Sequence, residues 1–142
     1  YTYSLTKPAT NKFYTQGLNI RIISEKQANA LASIDFRNMH NTKKQITFAW
    51  DNIKDEKTIM RGFNRVVNAG IKPYQIQFYV LIGYDSTPEQ DMFRVLKIKK
   101  LGSDPYVMPF DKKNNYQRRF TRWVNNRLIF NTVPFSQYST KY

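Results

Sequence analysis

Cysteine is absent from this sequence of 142 residues, and histidine occurs once, at His40. Without cysteine, these residues cannot form a disulfide, a thiolate metal site or a cysteine nucleophile. With one histidine, they also lack the set of imidazoles that a histidine-rich zinc site requires. Thiol chemistry and cysteine- or histidine-rich metal binding are therefore excluded for these residues themselves.

Acidic residues are also scarce, because 10 Asp and Glu stand against 23 Lys and Arg, a formal net charge of +13. Such an excess favours polyanionic partners, with nucleic acid first among them. The positive charges are spread along the chain, so the alternative is a generally basic proteome or a fragment whose acidic half is missing.

Long apolar runs are missing too. No stretch approaches the ~18 apolar residues of a membrane span, and the first residues do not resemble a signal peptide. We therefore expect a cytoplasmic protein with no membrane partner. The length suits one domain, residues 1–142, with 1–12 as an incoming loop and 127–142 as a C-terminal extension. Because Tyr1 is not preceded by Met, we expect a processed product or a fragment.

The central stretch of the sequence is the apolar run Phe78–Ile82, which ends at Gly83 and is followed by a helix-start signal. Thr87 is a suitable N-cap, proline follows it, and Gln90 completes a capping box. A near-continuous apolar run of this kind predicts a strand buried on both faces. The stretch therefore predicts the strand-to-helix corner of an α/β protein.

Similar alternation continues on both sides of this corner. We predict further strands over 13–16, 46–50 and 106–110, and a loop over 36–45. We predict helices starting at Ser24, Asp55, Pro88 and Tyr116, and glycine stops at Gly70 and Gly102. The predicted inward face of the third helix is Met92, Phe93, Leu96 and Leu101, and that of the fourth is Phe120, Trp123 and Val124.

The later strands recur at about the 30-residue length of a strand–helix–strand unit. Right-handed crossovers would make the sheet parallel, with neighbouring strands in sequential order and all carboxyl ends at one edge. Ligands of such folds bind beyond the carboxyl ends, which directs attention to Gly83 and Tyr84. The predicted fold class is α/β, a parallel-stranded partial barrel of the TIM type.

The same segments resemble a known family. In chain order they are an earlier strand end over 16–21, the strand end at Trp50-Asp51 and the helix end over 68–71. They continue with the strand and helix start over 78–91 and the strand over 104–109. In order and spacing they are similar to the later, C-terminal half of the core domain of radical S-adenosylmethionine (radical SAM) enzymes. The resemblance spans about residues 13–123.

This resemblance implies S-adenosylmethionine as cofactor, bound beside a 4Fe–4S cluster. The family holds that cluster with a three-cysteine loop, which this chain lacks. We therefore expect the cluster ligands in an N-terminal half of the barrel outside these residues. Reaction and substrate stay open.

The resemblance also implies roles for particular positions. The backbone of Ile82 and Gly83 would face the adenine, as would the last strand at Val107, Met108 and Pro109. Trp50 and Asp51 lie where the family places a polar group toward the ribose or the amino-acid end. From the residues alone, Gly83 also suits a plain turn. Gln16, Asn19 and Arg21 are candidate ligand contacts or solvated side chains. The predicted cofactor-binding residues are Gln16, Asn19, Arg21, Trp50, Asp51, Ile82, Gly83, Tyr84, Val107, Met108 and Pro109.

A second class of function stays open, a non-catalytic basic domain that binds nucleic acid. Lys112, Lys113 and the segment 117–123 mix basic and aromatic residues as nucleic-acid surfaces do. The alternative for that segment is an amphipathic helix with its arginines in solvent. A radical enzyme acting on RNA or another polyanion would combine both signals.

Overall fold

The computed structural model describes residues 12–14, 18–37 and 43–139. Its strands are β1 (Lys12–Tyr14), β2 (Asp35–Arg37), β3 (Ile46–Ala49), β4 (Ile76–Ile82) and β5 (Asp104–Pro109). Its helices are α1 (Glu25–Ala32), α2 (Glu56–Asn68), α3 (Pro88–Lys100), α4 (Asn115–Asn125) and α5 (Arg127–Thr132), with short 3-10 turns at Ile20–Ile22, Ile53–Asp55, Pro73–Gln75 and Phe135–Gln137.

The three central strands form a parallel sheet in the order β3-β4-β5, and β1 pairs in parallel with β2. In the central sheet Phe48 lies opposite Phe78, and Val80 lies opposite Val107. The α/β class, the parallel pairing and the sequential strand order are thus as predicted. Sequential order with right-handed crossovers places the connecting helices α2 and α3 on the same face of the sheet.

Burial along β4 reflects this one-sided arrangement. Ile76, Phe78, Val80 and Ile82 are buried, whereas the side chains between them are only half-buried. The aromatic rings of Phe78 and Phe63 of α2 lie 6.2 Å apart, which places that helix on the buried face. The prediction of a strand buried on both faces is therefore wrong. The apolar residues at the intervening positions lie on an open face instead.

Helix starts follow the sequence signals closely. Ser24 and Gln27 form a capping box at α1, and Thr87 and Gln90 form another at α3. Asp55 occupies the N-cap position of α2, but its side chain makes no capping bond there. Its carboxylate pairs with Arg21 instead, at 3.3 Å.

The inward face of α3 differs from the prediction. Asp91, Arg94, Val95 and Ile98 are buried, whereas Phe93 and Leu96 are exposed. Met92 and Leu101 are half-buried and pack against the core. The side of a helix that faces the core is decided by all the contacts of that side together. In α3 the buried ion pair of Asp91 and Arg94 occupies part of it. The inward face of α4 is as predicted, because Phe120, Trp123 and Val124 are buried.

Two further boundaries were predicted differently. Part of the predicted loop over 36–45 is strand β2, with Phe36 buried between half-buried Asp35 and Arg37. The predicted extension from 127 begins with a helix, α5, whose Phe130 is buried. Residues 38–42, which include His40, and residues 15–17, which include Gln16, lie outside the described part of the chain.

None of the helices within the described ranges is long and apolar enough to span a membrane.

Candidate functional site

The carboxyl ends of the central strands meet at one edge, as parallel strands must. The loop after β3 contacts the loop after β4, since Asn52 Nδ2 donates to Asp85 Oδ2 at 3.1 Å. The loop after β5 contacts the end of β4, since Phe110 N–H donates to the Ile82 carbonyl at 2.9 Å. These bonds hold three separate segments together as one surface, the carboxyl edge.

A cavity of about 320 Å³ opens at this edge, between the 3-10 turn at 20–22 and strand β3. Its polar lining includes Asn19, Arg21 and Asp51, and the Tyr79 and Ala49 side chains of the open face belong to it too. This volume lies within the range of small-molecule sites. Three of the predicted site residues, from two distant segments, therefore line one cavity.

Internal bonds hold the cavity's mouth in place. Asn19 Oδ1 accepts from the Arg21 backbone N–H at 3.0 Å and from Arg21 Nε at 3.2 Å. The same guanidinium reaches Asp55 through Nη1. Arg21 is therefore clamped from two sides while it stays exposed, and its fork geometry suits a carboxylate ligand.

Trp50 and Asp51 separate at the end of β3. The Trp50 indole is fully buried, and its Nε1 donates to the Asn52 carbonyl at 2.8 Å. Asp51 is exposed and lines the cavity, and its Oδ1 accepts from the Leu81 N–H at 3.3 Å. Of this predicted pair, only Asp51 presents a side chain to a ligand in the cavity.

Gly83 is held by the protein's own packing. Its φ is +84°, a region that side chains rarely adopt, and a Cβ there would lie 2.1 Å from the Gln117 amide carbon. Neighbouring Ile82 is buried. Tyr84 is 68% exposed, and its ring lies 5.0 Å from that of Phe110, so this aromatic pair faces solvent at the carboxyl edge.

The predicted residues of β5 lie apart from the cavity lining. Val107 is buried, and the Asn125 side chain bonds its backbone N–H and carbonyl at 2.8 and 3.0 Å. Met108 lies opposite Leu81 in the sheet, on the open face. Asp51 accepts a hydrogen bond from the Leu81 N–H, so Asp51, Leu81 and Met108 lie in one row across the strands. Pro109 is half-buried opposite Ile82.

A buried polar cluster behind the edge was missed at the level of sequence. Arg94 is 0% exposed and donates to the carbonyls of Trp50 at 2.7 Å and Leu81 at 2.9 Å. It also donates to Asp91 Oδ1 at 2.8 Å. The guanidinium thus joins the ends of β3 and β4 to α3, next to the backbone that carries Asp51. An i, i+3 acid–base pair on the buried side of a helix was the available signal.

Two further side chains complete this cluster around the Asp91 carboxylate. Ser86 Oγ donates to Oδ1 at 2.6 Å, and the Tyr116 hydroxyl donates to Oδ2 at 2.8 Å. Burial raises the pKa of Tyr116, and its hydrogen bond to the carboxylate raises it further. Burial lowers the pKa of Arg94, and Asp91 opposes that change. Arg94, Ser86 and Tyr116 therefore all donate to one buried carboxylate directly behind the edge.

Charge is distributed unevenly between the two ends of the sheet. Although the chain is basic overall, more than half of its 10 acidic residues lie at the carboxyl edge or directly behind it. They are Asp51, Asp55, Asp85, Glu89, Asp91 and Asp111. The same end also carries Arg21, Lys54, Arg94, Lys112 and Lys113, so acidic and basic charges nearly balance there, in contrast to the basic excess of the rest of the chain.

Within residues 12–14, 18–37 and 43–139, no group of three or more His, Cys, Asp or Glu side chains is placed to hold a metal ion.

Comparisons with protein-family models, with curated proteins and with solved structures found no significant match.

Proposed function

We propose that this chain is the later half of a radical S-adenosylmethionine enzyme and that the cavity at its carboxyl edge holds part of the cofactor. One observation carries the proposal. Asn19, Arg21 and Asp51, which the family resemblance and the sequence picked out, line one cavity where parallel strands end. Parallel α/β folds bind their ligands at this edge.

The cavity's groups suit the chemistry of S-adenosylmethionine. The exposed Asp51 carboxylate is an acceptor for ribose hydroxyls or an ammonium group. Arg21, held by Asn19 and Asp55, is a donor for the cofactor's carboxylate. The exposed Asp51 carboxylate in the cavity lining favours the positively charged sulfonium.

The one-sided sheet supports a barrel rather than a doubly wound sheet. A parallel sheet needs both faces covered, either by helices or by closing on itself. Here β4 has one face covered, and its open face carries Tyr79 and Leu81 beside Tyr106 and Met108 of β5. In the proposed enzyme this open face belongs to the barrel interior, which the missing half completes.

The residues of this chain do not fit the cluster itself, since they include no cysteine. In the family the cluster supplies the electron that cleaves the bound cofactor. We assign its ligands to residues outside this sequence and derive no reaction step through it. The role proposed for the described residues is to bind and orient the cofactor.

The test is a nuclear magnetic resonance titration of the chain with S-adenosylmethionine at millimolar concentration. Binding is expected to be weak, because the cluster that ligates the cofactor is not part of this chain. We expect amide shifts at Asn19, Arg21, Asp51 and Leu81, and their loss in Asp51→Ala. Asp111→Ala is the matched control, since it removes an exposed carboxylate of the same edge from outside the cavity lining.

Adenosine triphosphate serves as a second ligand in the same titration. It shares the adenosine but lacks the ammonium group that Asp51 is proposed to accept, so smaller shifts are expected. Shifts that survive Asp51→Ala, or that fall equally in Asp111→Ala, contradict the proposed site. Sequencing the gene upstream of Tyr1 tests the family directly, because a coding region with no cysteine cluster would refute it.

A further inference from the structure

The opposite end of the sheet, where the strands begin, carries a surface of one charge. We define the amino-edge surface as Tyr74 with the cationic side chains of Lys43, Lys72, Lys99, Lys100 and Arg127, all of them exposed. These residues come from the segments before β3 and β4, the end of α3 and the start of α5. Four separate parts of the chain therefore contribute positive charge to one end of the molecule.

Contacts show that these parts meet. Ser103 Oγ, just after α3, donates to the Pro73 carbonyl at 2.8 Å, which places Lys72 and Tyr74 beside the end of that helix. A cavity of about 140 Å³ is lined by Lys43, Lys99 and Arg127 together. Cations that line one cavity repel one another, so this lining favours an anion in addition to the Asp104 carboxylate that it already contains.

The opposing charges here are too small to neutralise the surface. Asp104 lines the same cavity, and its carboxylate pairs with Arg127. Helices α2 and α3 end at this edge, and each helix end contributes about half a negative charge. Together these terms offset about two of the positive charges, so the potential over the surface stays positive.

An aromatic ring stands within this positive surface. Tyr74 is 70% exposed and lies in the 3-10 turn Pro73–Gln75, directly after Lys72. Exposed aromatic rings among lysines form the stacking platforms of single-strand-binding proteins, where bases stack on rings and cations contact phosphates. The geometry points to single-stranded nucleic acid as the partner of the amino-edge surface, with phosphates at Lys43, Lys99 and Arg127 and a base on Tyr74.

The basic segment over 112–123 is a weaker candidate for this role. Its rings are engaged in the fold: Phe120 and Trp123 are buried in the core, and half-buried Tyr116 packs against Phe120 and donates its hydroxyl to Asp91. Arg119 is committed as well, since it stacks over Phe135 at 4.1 Å and donates to the carbonyls of Phe135 and Tyr138. In the amino-edge surface Arg127 pairs with Asp104 and Lys99 lies over the Phe130 ring at 5.0 Å, but both remain exposed beside Lys43, Lys72, Lys100 and the exposed Tyr74 ring.

The experiment is fluorescence anisotropy of labelled single-stranded DNA and RNA, about 20 nucleotides long, between about 50 and 300 mM NaCl. The variant Lys72→Gln/Lys99→Gln/Lys100→Gln removes three charges from the surface. We expect the affinity of this variant to fall at least about tenfold. The slope of log affinity against log salt should become shallower by about two, because each phosphate contact contributes about 0.7 to it. The control Lys26→Gln/Lys57→Gln/Arg61→Gln removes the same charge from the exposed sides of α1 and α2.

Tyr74 separates stacking from charge. Tyr74→Ala is expected to weaken binding about 5- to 100-fold at constant salt slope, and Tyr74→Phe to retain it. Equal losses in the two triple variants would overturn the proposal, because net charge alone would then explain binding. No loss in Tyr74→Ala would overturn the stacking contact. Binding to phosphatidylserine vesicles without binding to the oligonucleotides would identify a membrane surface instead.

This inference and the proposed function fail independently. The triple variant at the amino edge leaves the cavity at the carboxyl edge intact, so the cofactor titration should be unchanged in it. If the triple variant loses oligonucleotide binding but keeps the cofactor-induced shifts, the amino-edge surface binds the oligonucleotide and the cavity does not. Cofactor shifts that are absent while oligonucleotides bind would leave a nucleic-acid-binding domain without the proposed enzyme role.

Discussion

Arg94 joins more of the molecule than any of the residues predicted from sequence. Its guanidinium donates to the backbone of two strands and to Asp91, and its Nε has no partner within the described residues. A buried cation with three good bonds is tolerable, whereas its carboxylate partner left alone is costly. The pair therefore positions the strand ends, including the backbone beside Asp51, without contacting a ligand.

Replacing Arg94 should be strongly destabilising. Arg94→Leu leaves two carbonyls without their donor and the buried Asp91 carboxylate without its cation, with only Ser86 and Tyr116 still donating to it. We therefore expect a loss of about 3–5 kcal/mol in the free energy of unfolding. The loss in Arg94→Lys should be smaller than that in Arg94→Leu but not zero, because an ammonium cannot span both carbonyls. Urea unfolding measures the losses, and Arg122→Leu on the exposed side of α4 should stay within about 0.5 kcal/mol. Equal stability of the two leucine variants would show that the buried pair does not hold the edge.

Two glycines allow backbone strain and crowding to be separated. Gly70 has φ +115° and nothing within 4 Å of an added Cβ, whereas Gly83 has φ +84° and the Gln117 side chain at 2.1 Å. Gly70→Ala should cost about 1 kcal/mol from conformation alone. Gly83→Ala should cost about 1–3 kcal/mol more, because Gln117 must also move.

The measurement is the thermal unfolding of Gly70→Ala, Gly83→Ala and Gln117→Ala. Removing the Gln117 side chain in the Gly83→Ala background should recover part of the loss, which is a favourable coupling in a double-mutant cycle. Equal losses at the two glycines would mean that the side chain yields freely. Gly83 would then be available for the close backbone approach that the family resemblance implies.

At the scale of the element, strand β5 shows how this sheet ends. An edge strand presents unpaired backbone groups to other chains. Here the Asn125 amide bonds both backbone groups of Val107, as a neighbouring strand would. At Val107 the protein's own helix α4 therefore covers the edge of the sheet.

Asn125→Ala should uncover this edge. Two backbone groups of a buried residue lose their partners, so we expect a loss of about 1–3 kcal/mol in the free energy of unfolding. Self-association should rise as well, visible by light scattering on heating. Asn64→Ala in the exposed side of α2 is the matched control. Unchanged scattering and stability in Asn125→Ala would show that the amide bonds do not protect the edge.

The elements that could be predicted from sequence are those whose signals are local. The capping boxes at Ser24 and Thr87 fix helix starts through bonds within one turn. Strand order followed from the length of the units and the handedness of crossovers. The face of α3 could not be predicted, because a buried Arg94 becomes favourable only when distant carbonyls of Trp50 and Leu81 reach it.

The candidate site was predictable to a similar extent. Predicted strand-end position and the family resemblance together identified Asn19, Arg21 and Asp51, and the cavity includes all three. The orientation of Trp50 was not predictable from position, since adjacent residues of a strand point to opposite faces and the run over 46–50 does not reveal which face is covered. The contact of Asp55 with Arg21 depends on a separation of 34 residues, beyond any local pattern.

At the scale of the whole molecule, the main electrostatic feature is an excess of positive charge that the ion pairs do not neutralise. Of the five ion pairs described, four are partly exposed: Arg21–Asp55, Arg37–Asp35, Lys97–Glu56 and Arg127–Asp104. Exposed pairs contribute about 0–1 kcal/mol each, and salt weakens them. Repulsion among the excess cations acts over longer distances, because the screening length is about 10 Å at 0.1 M salt.

Salt should therefore stabilise this protein. A net charge of +13 destabilises the compact state through self-repulsion, and the unfolded chain relieves it by expanding. Raising NaCl from about 0.05 to 0.5 M shortens the screening length from about 14 to 4 Å, so we expect the melting temperature to rise. Lys72→Gln/Lys99→Gln/Lys100→Gln should reduce this rise more than the α1/α2 triple variant does, because its charges lie where those of Lys43 and Arg127 converge. A melting temperature that falls with salt would mean that the exposed ion pairs outweigh the repulsion, and the amino edge would then need no anion to balance it.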